Sequence, residues 1–435
     1  MATSKPQLSV IDLFAGCGGL SLGLEQAGFT PVFVNELNAD ALETYIRNRE
    51  VLHPHLRDEG FRTNDVKSMV LNGNYLTGLN RRLQDTFSIG KGEVDLLVGG
   101  PPCQGYSGIG HRRSYSVDKE QLPSNHLYED MAHIIHRIQP RAFMFENVRG
   151  LLNAKWTNTG RKGEIFENVR SRFAALAGYR IAYSLVFAKD YGVPQNRPRV
   201  LIVGFRDDIY VRGEREDTRD PTQIKDAVRN GFLPGPVDDP PPSIEDLLGD
   251  LVHPHYRPGI TEETLTYPSS ASTTVQKLLR TDHEGKRVSK KGEAVTEHQY
   301  SKHSEKIVAK FRAMIEHPDH DIPEQYRTKK FAQRVLPRRW GKDGPTITAT
   351  SLPDDYIHFS QPRSLSVREW ARLQMFPDWY QFAGKRTTGG IRRAGNPRAG
   401  IFDREVPKYT QIGNAVPVKL AREVGLHIAS ILKGQ

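Results

Sequence analysis

The sequence predicts an α/β protein in which helices cover both faces of a mostly parallel sheet. In the first half of the chain, short apolar or β-branched runs alternate with amphipathic helical patterns such as "LSLGLEQAG" and "YEDMAHIIHRI". Parallel strands require crossover connections, usually helices, and strands buried on both faces are nearly continuous in apolar residues. These two observations together indicate a Rossmann-like sheet, followed by a smaller irregular region.

Six segments of the first half have the composition of buried strands. They are Leu8–Phe14, Pro31–Glu36, Val94–Gly100, Ala142–Val148, Ile181–Ala188 and Arg199–Phe205. The amphipathic stretches between them supply the helices of the two outer layers.

After Phe205 the composition changes. The segment "RGEREDTRDPTQIKD" is charged and typical of a linker, as is the proline-rich "FLPGPVDDPPPS". A short helix is predicted directly after it, with Ser243 as N-cap and Asp246 at the third helical position. The chain is then basic, irregular and free of internal repeats to about residue 360. A helical pattern resumes in "SLSVREWARLQMFP", and a last amphipathic helix after "IGNAVP" is suited to return to the sheet.

Composition excludes several classes of protein. The chain has 435 residues, 37% hydrophobic and 26% charged, which is ordinary for a soluble protein. Two cysteines do not make a disulfide scaffold, so we expect a reducing, intracellular location. No signal-peptide pattern and no membrane span is expected. The net charge of +10 suits a polyanionic partner, although a solvated basic surface explains it as well.

The first two strands end in residues that suit a nucleoside-containing ligand. Gly16, Gly18 and Gly19 open the first helix and permit close approach of the backbone to a ligand, although a simple turn has the same composition. The spacing departs from GxGxxG at its last position. Glu36 ends the second strand twenty residues after Gly16, the position of an acid that binds ribose hydroxyls. Asp65 precedes a helix, where it either accepts from an adenine amino group or caps that helix.

Three later segments place reactive groups at the same edge of the sheet, where α/β proteins bind their ligands. Cys103 follows two prolines in "GGPPCQGYSG", so it is either an aimed nucleophile or a small buried apolar residue. Glu146 comes directly after four apolar residues, a costly position for an unpaired acid. Arg197 and Arg199 alternate on an extended segment, so both guanidinium groups are expected to project to the same side.

The motifs that carry these residues resemble those of the DNA cytosine-C5 methyltransferases. "DLFAGCGGLSLG", "GGPPCQGYS", "FENVRGL", "YGVPQNRPRV", "REWARLQMFP" and "QIGNAVP" follow each other in the order of that family. Only the segment from about Arg206 to Trp340 lacks a match, and there the family carries its variable target-recognition region. The resemblance implies a catalytic domain over residues 1–210, a target-recognition domain with hinge over 211–385, and a C-terminal segment, 386–435, that returns to the catalytic domain.

The resemblance also implies a mechanism. Cys103 would add to C6 of cytosine, Glu146 would bind and transiently protonate N3, and Arg199 would hold O2 and orient Glu146, with Arg197 beside them. Loss of the C5 proton and of Cys103 would then release 5-methylcytosine, with water as one candidate proton acceptor. Hydride transfer, which a Rossmann-like sheet also suggests, leaves Cys103 and Glu146 without a task.

The cofactor implied by the resemblance is S-adenosylmethionine. Its pocket would be lined by Phe14, Gly16, Cys17, Gly19, Glu36, Leu37, Asp65, Val66, Pro102, Leu127, Asn414 and Val416. Cys17 occupies a variable position of the glycine turn and is assigned no chemistry. Leu37 stands where some members carry a bulky aromatic residue.

The implied partner is double-stranded DNA, from which the target base must be flipped out. The loop after Cys103 would close over that base, and the second domain would contribute one threonine. The residues expected to contact nucleic acid are Gln104, Ser107, Arg112, Arg113 and Thr348. A monomer without a metal ion is expected by analogy.

Three other functions compete with this one. A tRNA cytosine-C5 methyltransferase of the same fold has the same chemistry, but the long basic region favours a reader of DNA sequence. A catalytically inactive DNA-binding regulator would not need Cys103, Glu146 and the two arginines. A zinc protein using "HPHYRP" or "EHQYSKH" lacks a closed ligand pattern. The usual role of the family, bacterial restriction–modification in the cytoplasm, is the expected one.

Overall fold

A seven-stranded sheet forms the centre of the protein and confirms the predicted fold class. The computed structural model describes residues 6–102, 125–157, 159–213, 226–327, 333–337, 346–348, 355–388 and 405–434. The strands are β1 (Ser9–Leu13), β2 (Thr30–Asn35), β3 (Arg62–Thr63), β4 (Leu96–Gly99), β5 (Ala142–Val148), β6 (Tyr179–Phe187) and β7 (Pro198–Arg206). Their order is β3-β2-β1-β4-β5-β7-β6.

The sheet is parallel except at one side. Strands β1 to β5 pair in parallel, whereas β7 lies between β5 and β6 and runs antiparallel to both. The six predicted strands are present with ends that differ by no more than two residues. Strand β3 was not predicted, because a two-residue strand has no hydrophobic period to detect.

Helices cover both faces of the sheet. The described α-helices of the chain are α1 (Gly19–Gln26), α2 (Ala39–Arg47), α3 (Val66–Leu71), α4 (Tyr75–Phe87), α5 (Leu127–Ile138), α6 (Glu164–Ala174), α7 (Ile244–Leu248), α8 (Thr274–Arg280), α9 (Glu305–Glu316), α10 (Val367–Leu373), α11 (Lys408–Asn414) and α12 (Val418–Leu432). Of these, α9 packs instead with Val335 and Ile357. Because side chains alternate along a strand, Val10 and Ile11 enter two different apolar cores. One core contains residues of α1 and α12, and the other contains residues of α4, α5 and α6.

The C-terminal helix α12 packs directly against α1. A Cβ atom at Gly23 of α1 would lie 2.4 Å from both the Ala421 Cβ and the Val418 carbonyl oxygen. Arg141, just before β5, donates to the Leu432 carbonyl at 2.6 Å and holds the far end of α12. The last segment of the chain is therefore part of the layer that covers the sheet.

The region predicted as a linker is packed in its described part, from residue 226 onwards. Phe232 is buried and meets Phe205 of β7 edge-on, with 5.3 Å between ring centroids. The backbone N–H of Ala227 donates to the Tyr183 carbonyl of β6 at 3.0 Å. The aromatic and apolar residues that interrupt the prolines cover the edge of the sheet, so this part of the segment is not a free linker.

A buried charge network joins α10 to the region before it. Arg372 lies 2.6 Å from carboxylate oxygens of both Asp250 and Asp378, and Arg280 lies 2.8 Å from Asp250. All four side chains are buried. Removing one member would leave an unpaired buried charge, so the network holds α8 and α10 in one arrangement.

Two helix starts illustrate how local sequence sets these elements. Ser243 caps α7 as predicted, with its Oγ accepting from the Asp246 N–H at 2.9 Å. Ser366 and Glu369 form a reciprocal capping box at the start of α10.

The remaining described strands, β8 (Arg334–Val335) and β9 (Tyr356–Ile357), form a small parallel pair.

Candidate active site at the carboxyl ends of the strands

Glu146 and Arg199 form an ion pair between neighbouring strands. The register of β5 and β7 places Val148 opposite Arg199, so Arg199 is a diagonal neighbour of Glu146 on the same face. Its Nε lies 2.5 Å from Glu146 Oε1, and both side chains are nearly buried. The guanidinium group thus compensates the carboxylate that the sequence places after an apolar run.

The second oxygen of Glu146 faces the loop that leads to Cys103. A Cβ atom at Gly100 would lie only 2.7 Å from Glu146 Oε2, so glycine is needed for this close approach. Asn147 Nδ2 donates to the Pro101 carbonyl at 3.1 Å and anchors the same loop. Five predicted site residues of this loop lie outside the described residues: Cys103, Gln104, Ser107, Arg112 and Arg113.

Arg197 has different partners from Arg199, although the sequence grouped the two. Its guanidinium donates to four backbone carbonyls: that of Ile347, that of Gly413 at 2.6 Å, that of Asn414 at 3.4 Å and that of Ala415 at 3.1 Å. Burial, together with the nearby charge of Arg199, lowers the pKa of Arg197. Arg197 precedes the first residue of β7, so the alternation of a regular strand does not set its direction.

Gln195 completes this junction and was not identified from the sequence. Its Oε1 accepts from the Ile347 N–H at 3.1 Å, and its Nε2 donates to Gln374 Oε1 at 2.7 Å. Thr348, the predicted DNA contact, is the next residue after Ile347, so Gln195 and Arg197 hold its segment against the catalytic sheet. A glutamine in an irregular segment gives no sequence signal of partners this distant.

The turn after β1 has an unusual backbone. Phe14, Gly16 and Gly18 have φ values of 57°, 56° and 84°, and for Phe14 this left-handed conformation is strained. Asn35 supports it, with Oδ1 accepting from the Phe14 N–H at 3.3 Å and Nδ2 donating to the Thr63 carbonyl at 3.1 Å. Asn35 is a second residue that sequence patterns did not indicate.

Glu36 lies against this turn. Its Oε2 accepts from the Gly16 N–H and its Oε1 from the Asn38 N–H, both at 2.8 Å. Burial raises the pKa of Glu36, and these two hydrogen bonds oppose the rise. Each carboxylate oxygen has a further lone pair to accept a hydroxyl, while the open N-terminus of α1 suits an anion. The donor set fits an amino acid linked to a nucleoside.

The other predicted cofactor residues differ in their environments. Leu37 is 75% exposed, whereas Val66 is buried and Leu127 and Phe14 pack against the same core. Asp65 caps α3, with Oδ1 accepting from the Lys67 N–H at 2.8 Å. The cap explains this acid without a ligand, as the sequence allowed.

Residues from the C-terminal motif reach the turn as well. A Cβ atom at Gly19 would lie 2.5 Å from the Val416 carbonyl oxygen, so Val416 lies directly against the glycine turn. Pro102 and Asn414 are exposed. The structure therefore brings the first and last motifs of the chain together at one edge of the sheet.

The environment of Cys17 is unsuited to a nucleophile. Its side chain is buried, and its Sγ donates to the Gln411 carbonyl at 3.4 Å. Burial raises the pKa of this thiol to about 12. A thiol that stays protonated is not a nucleophile.

In the described part of the chain, no three His, Cys, Asp or Glu side chains form a group that could hold a metal ion. None of the described helices has the length and apolar character needed to cross a membrane. His298 of "EHQYSKH" is buried and hydrogen-bonded to Ser366 Oγ and the Leu251 carbonyl.

Comparisons with known proteins find relatives over nearly the whole chain. The family model described as C-5 cytosine-specific DNA methylase matches residues 8–430. The type II methyltransferase M.BspRI of Lysinibacillus sphaericus is 31% identical over 431 residues, which cover 97% of this chain and 82% of that protein. M.DdeI of Desulfomicrobium norvegicum is 28% identical over 434 residues, covering 97% of this chain and 88% of that protein.

A solved structure has the same fold. It is a prophage-encoded E. coli protein described as a DNA modification methyltransferase, with a TM-score of 0.63 and 21% identity over 98% of this chain and 100% of its own. Methyltransferases of this class generally use S-adenosylmethionine. Since the family model spans nearly the whole chain, the protein belongs to the C-5 cytosine-specific DNA methylase family and is a DNA cytosine-C5 methyltransferase.

Proposed function

We propose that this enzyme methylates C5 of a flipped-out cytosine within a specific sequence of duplex DNA, through a covalent bond between Cys103 and C6. The observation that carries the proposal is the Glu146–Arg199 ion pair, whose free carboxylate edge faces the loop leading to Cys103. A carboxyl group and a guanidinium group side by side match the N3 and O2 edge of a cytosine.

The chain's own residues then have defined tasks. The Cys103 thiolate adds to C6 and opens the C5–C6 double bond. Glu146, which takes up a proton from solvent when the base is bound, gives that proton to N3 so that no negative charge builds up on the ring. Arg199 holds O2 and keeps Glu146 in place. After methylation, the C5 proton leaves to a base such as water, the C6–S bond breaks and Glu146 recovers its proton.

S-adenosylmethionine would supply the electrophilic methyl group. We assign its binding to the turn formed by Phe14, Gly16, Cys17 and Gly19, with Glu36 on the ribose hydroxyls. The rest of the pocket would be formed by Leu37, Asp65, Val66, Pro102, Leu127, Asn414 and Val416. The hydrogen bond between Glu36 and the turn, together with the open start of α1, supports this assignment.

DNA would bind across the same edge of the sheet. Arg112 and Arg113 would neutralise phosphates, with Gln104 and Ser107 on the same loop and Thr348 from the second domain. Residues 211–385 would read the sequence. The attachment of Ile347 to Arg197 and Gln195 supports a DNA contact at Thr348, because it holds that segment next to the catalytic pair.

The names of the relatives support a biological role. Both M.BspRI and M.DdeI are named type II methyltransferases. We propose that this enzyme likewise acts in bacterial restriction–modification, as a monomer on chromosomal DNA in the cytoplasm.

The test measures methyl transfer to nucleic acid and traps the covalent enzyme–DNA intermediate. Purified enzyme with labelled S-adenosylmethionine should label duplex DNA and not tRNA. It should also form a denaturation-resistant adduct with DNA that contains 5-fluorocytosine, since fluorine cannot leave C5 as the proton does. Cys103→Ala should abolish the adduct and retain cofactor binding.

Each alternative has its own outcome. Transfer to tRNA alone would assign the tRNA function, and tight DNA binding without transfer would assign an inactive regulator. An adduct that survives Cys103→Ala would refute the nucleophile. Bisulfite sequencing of DNA from cells that express the enzyme would identify the recognised sequence.

A further inference from the structure

We propose that Tyr380 and Arg49 are positioning residues for the methyl donor, because they hold the glycine turn from the side opposite the cofactor. This inference rests on the proposed cofactor site. Neither residue belongs to the set that the sequence motifs indicate, and neither is expected to touch the cofactor.

The two side chains bind consecutive carbonyls of the turn. Tyr380 Oη donates to the Cys17 carbonyl at 2.5 Å, and Arg49 Nη2 donates to the Gly18 carbonyl at 3.0 Å. Arg49 Nη1 also donates to Tyr380 Oη at 3.0 Å. The phenol therefore has its donor and an acceptor site engaged, and both residues are buried.

Binding these carbonyls sets the direction of the neighbouring N–H groups. The Gly18 carbonyl accepts from the Leu22 N–H of α1 at 2.9 Å as well as from Arg49, so two donors fix this peptide. In a trans peptide the C=O and N–H point to opposite sides, so the Gly19 N–H points out of the start of α1. That is the end of the helix where an anionic group of the ligand is stabilised. A rotated Gly18–Gly19 peptide would turn this donor away.

The fit behind the turn is close. Gly18 has a φ of 84°, and a Cβ atom there would lie 2.7 Å from Arg49 Nη1 and 2.9 Å from Tyr380 Oη. The glycine is thus required by the two positioning residues as well as by its own backbone conformation.

The charge of Arg49 is compensated within the core. Its Nε donates to Glu25 Oε1 at 2.7 Å, its Nη1 to the Tyr45 carbonyl at 2.9 Å, and its Cζ lies 3.9 Å from the centre of the Tyr45 ring. A buried ion pair is a weak source of stability compared with apolar packing. The charged Arg49 instead donates to the Gly18 carbonyl and to Tyr380 Oη, which in turn donates to the adjacent Cys17 carbonyl.

Tyr380 is itself held by the region that follows α10. Arg368 Nη2 donates to the Tyr380 carbonyl at 2.8 Å, and Gln381 exchanges two hydrogen bonds with Asn48, at 2.8 and 2.9 Å. The hydroxyl that holds the cofactor turn thus comes from a residue 363 positions away from Cys17. The segment that contains Tyr380 and Gln381 therefore helps to set the conformation of the turn.

The test makes the same change, tyrosine to phenylalanine, at two positions. Tyr380→Phe removes only the hydroxyl that binds the turn. Tyr179→Phe is the matched control, because its hydroxyl also donates to a backbone carbonyl at 2.5 Å, that of Pro140, at the opposite edge of the sheet. Binding of S-adenosylhomocysteine is measured by calorimetry, and KM for each substrate and kcat are measured separately.

We expect Tyr380→Phe to weaken S-adenosylhomocysteine binding about tenfold and to raise KM for S-adenosylmethionine by a similar factor. The KM for DNA should be unchanged, and Tyr179→Phe should bind like the wild type. Arg49→Lys, which retains the charge and loses the planar pair of donors, should show the same selective loss.

The results separate this inference from the proposed function. If Tyr380→Phe binds S-adenosylhomocysteine as tightly as the wild type does, the positioning role is overturned and the assigned cofactor site still stands. Equal losses in Tyr380→Phe and Tyr179→Phe would also overturn it, because they would indicate general destabilisation. Absence of binding by the wild type would refute the cofactor assignment itself.

Discussion

Arg199 Nε lies 2.5 Å from Glu146 Oε1, and the reason is the direction of β7. Because β7 runs antiparallel to β5, its first residues lie beside the last residues of β5. An arginine at the start of one strand thereby meets a glutamate near the end of the other. In a wholly parallel sheet the two would lie at opposite edges.

The first prediction concerns this pair. Arg199→Lys should lower kcat by about 10²- to 10³-fold, because an ammonium group cannot hold Glu146 and a base oxygen in one plane. Binding of S-adenosylhomocysteine should not change. The control is Arg206→Lys at the far end of β7, where Arg206 pairs with Asp208 at 2.7 Å. Equal rates for the two variants would argue against a catalytic role of the pair.

The second prediction tests the space beside Glu146. Gly100→Ala should lower kcat by about tenfold or more, since the new methyl group would lie 2.7 Å from Glu146 Oε2 and displace the carboxylate. Gly73→Ala, where no atom lies within 4 Å of the new Cβ, is the control. Single-turnover rates at saturating cofactor would show the difference, and an unaffected rate in Gly100→Ala would contradict the close approach.

The third prediction concerns the contact between α1 and α12. Gly23→Ala should destabilise the protein by about 1–3 kcal/mol, because the added Cβ would overlap backbone atoms of α12. Gly78→Ala within α4 should instead stabilise it by about 0.5–1 kcal/mol, because its nearest neighbour is the flexible end of Arg82 at 3.4 Å. Urea unfolding of both variants measures the effects. Similar behaviour of the two would mean that the helices do not cross this closely.

The fourth prediction is a pH dependence of stability. His298 Nε2 lies 3.0 Å from the Leu251 carbonyl, which only accepts, so Nε2 carries the proton and Nδ1 accepts from Ser366 Oγ at 2.7 Å. Burial lowers the pKa of His298 to about 4, and the charge of Arg363 adds to this effect. The folded protein thus holds this imidazole neutral.

The direction in which the free energy of unfolding changes with pH follows from proton uptake by His298. Between about pH 6.5 and pH 4 the unfolded chain binds a proton at His298 that the folded chain does not, so the free energy of unfolding falls as the pH falls. Relative to His298→Gln, the wild type should lose about 2–3 kcal/mol over this window and show no such change above it. The control is built in, because other titrating groups contribute equally to both proteins. A constant difference from neutral to acidic pH would contradict the neutral imidazole.

Local sequence determined much of this protein. Apolar runs bounded by turn residues place the six longer strands, and Ser243 and Ser366 start their helices with side-chain caps. The ordered motifs indicated the family, which the family model confirms. These features depend on neighbouring residues in the chain, so their signals are present in short stretches of sequence.

Only the tertiary structure decided which distant groups meet. It placed β7 antiparallel to β5, directed Arg197 to the carbonyls of Ile347 and Gly413, and brought Tyr380 to the Cys17 carbonyl. A hydrogen bond to a backbone carbonyl carries no residue code, because every residue offers the same acceptor. Such partners are chosen by how the packed elements come together, and no local pattern specifies them.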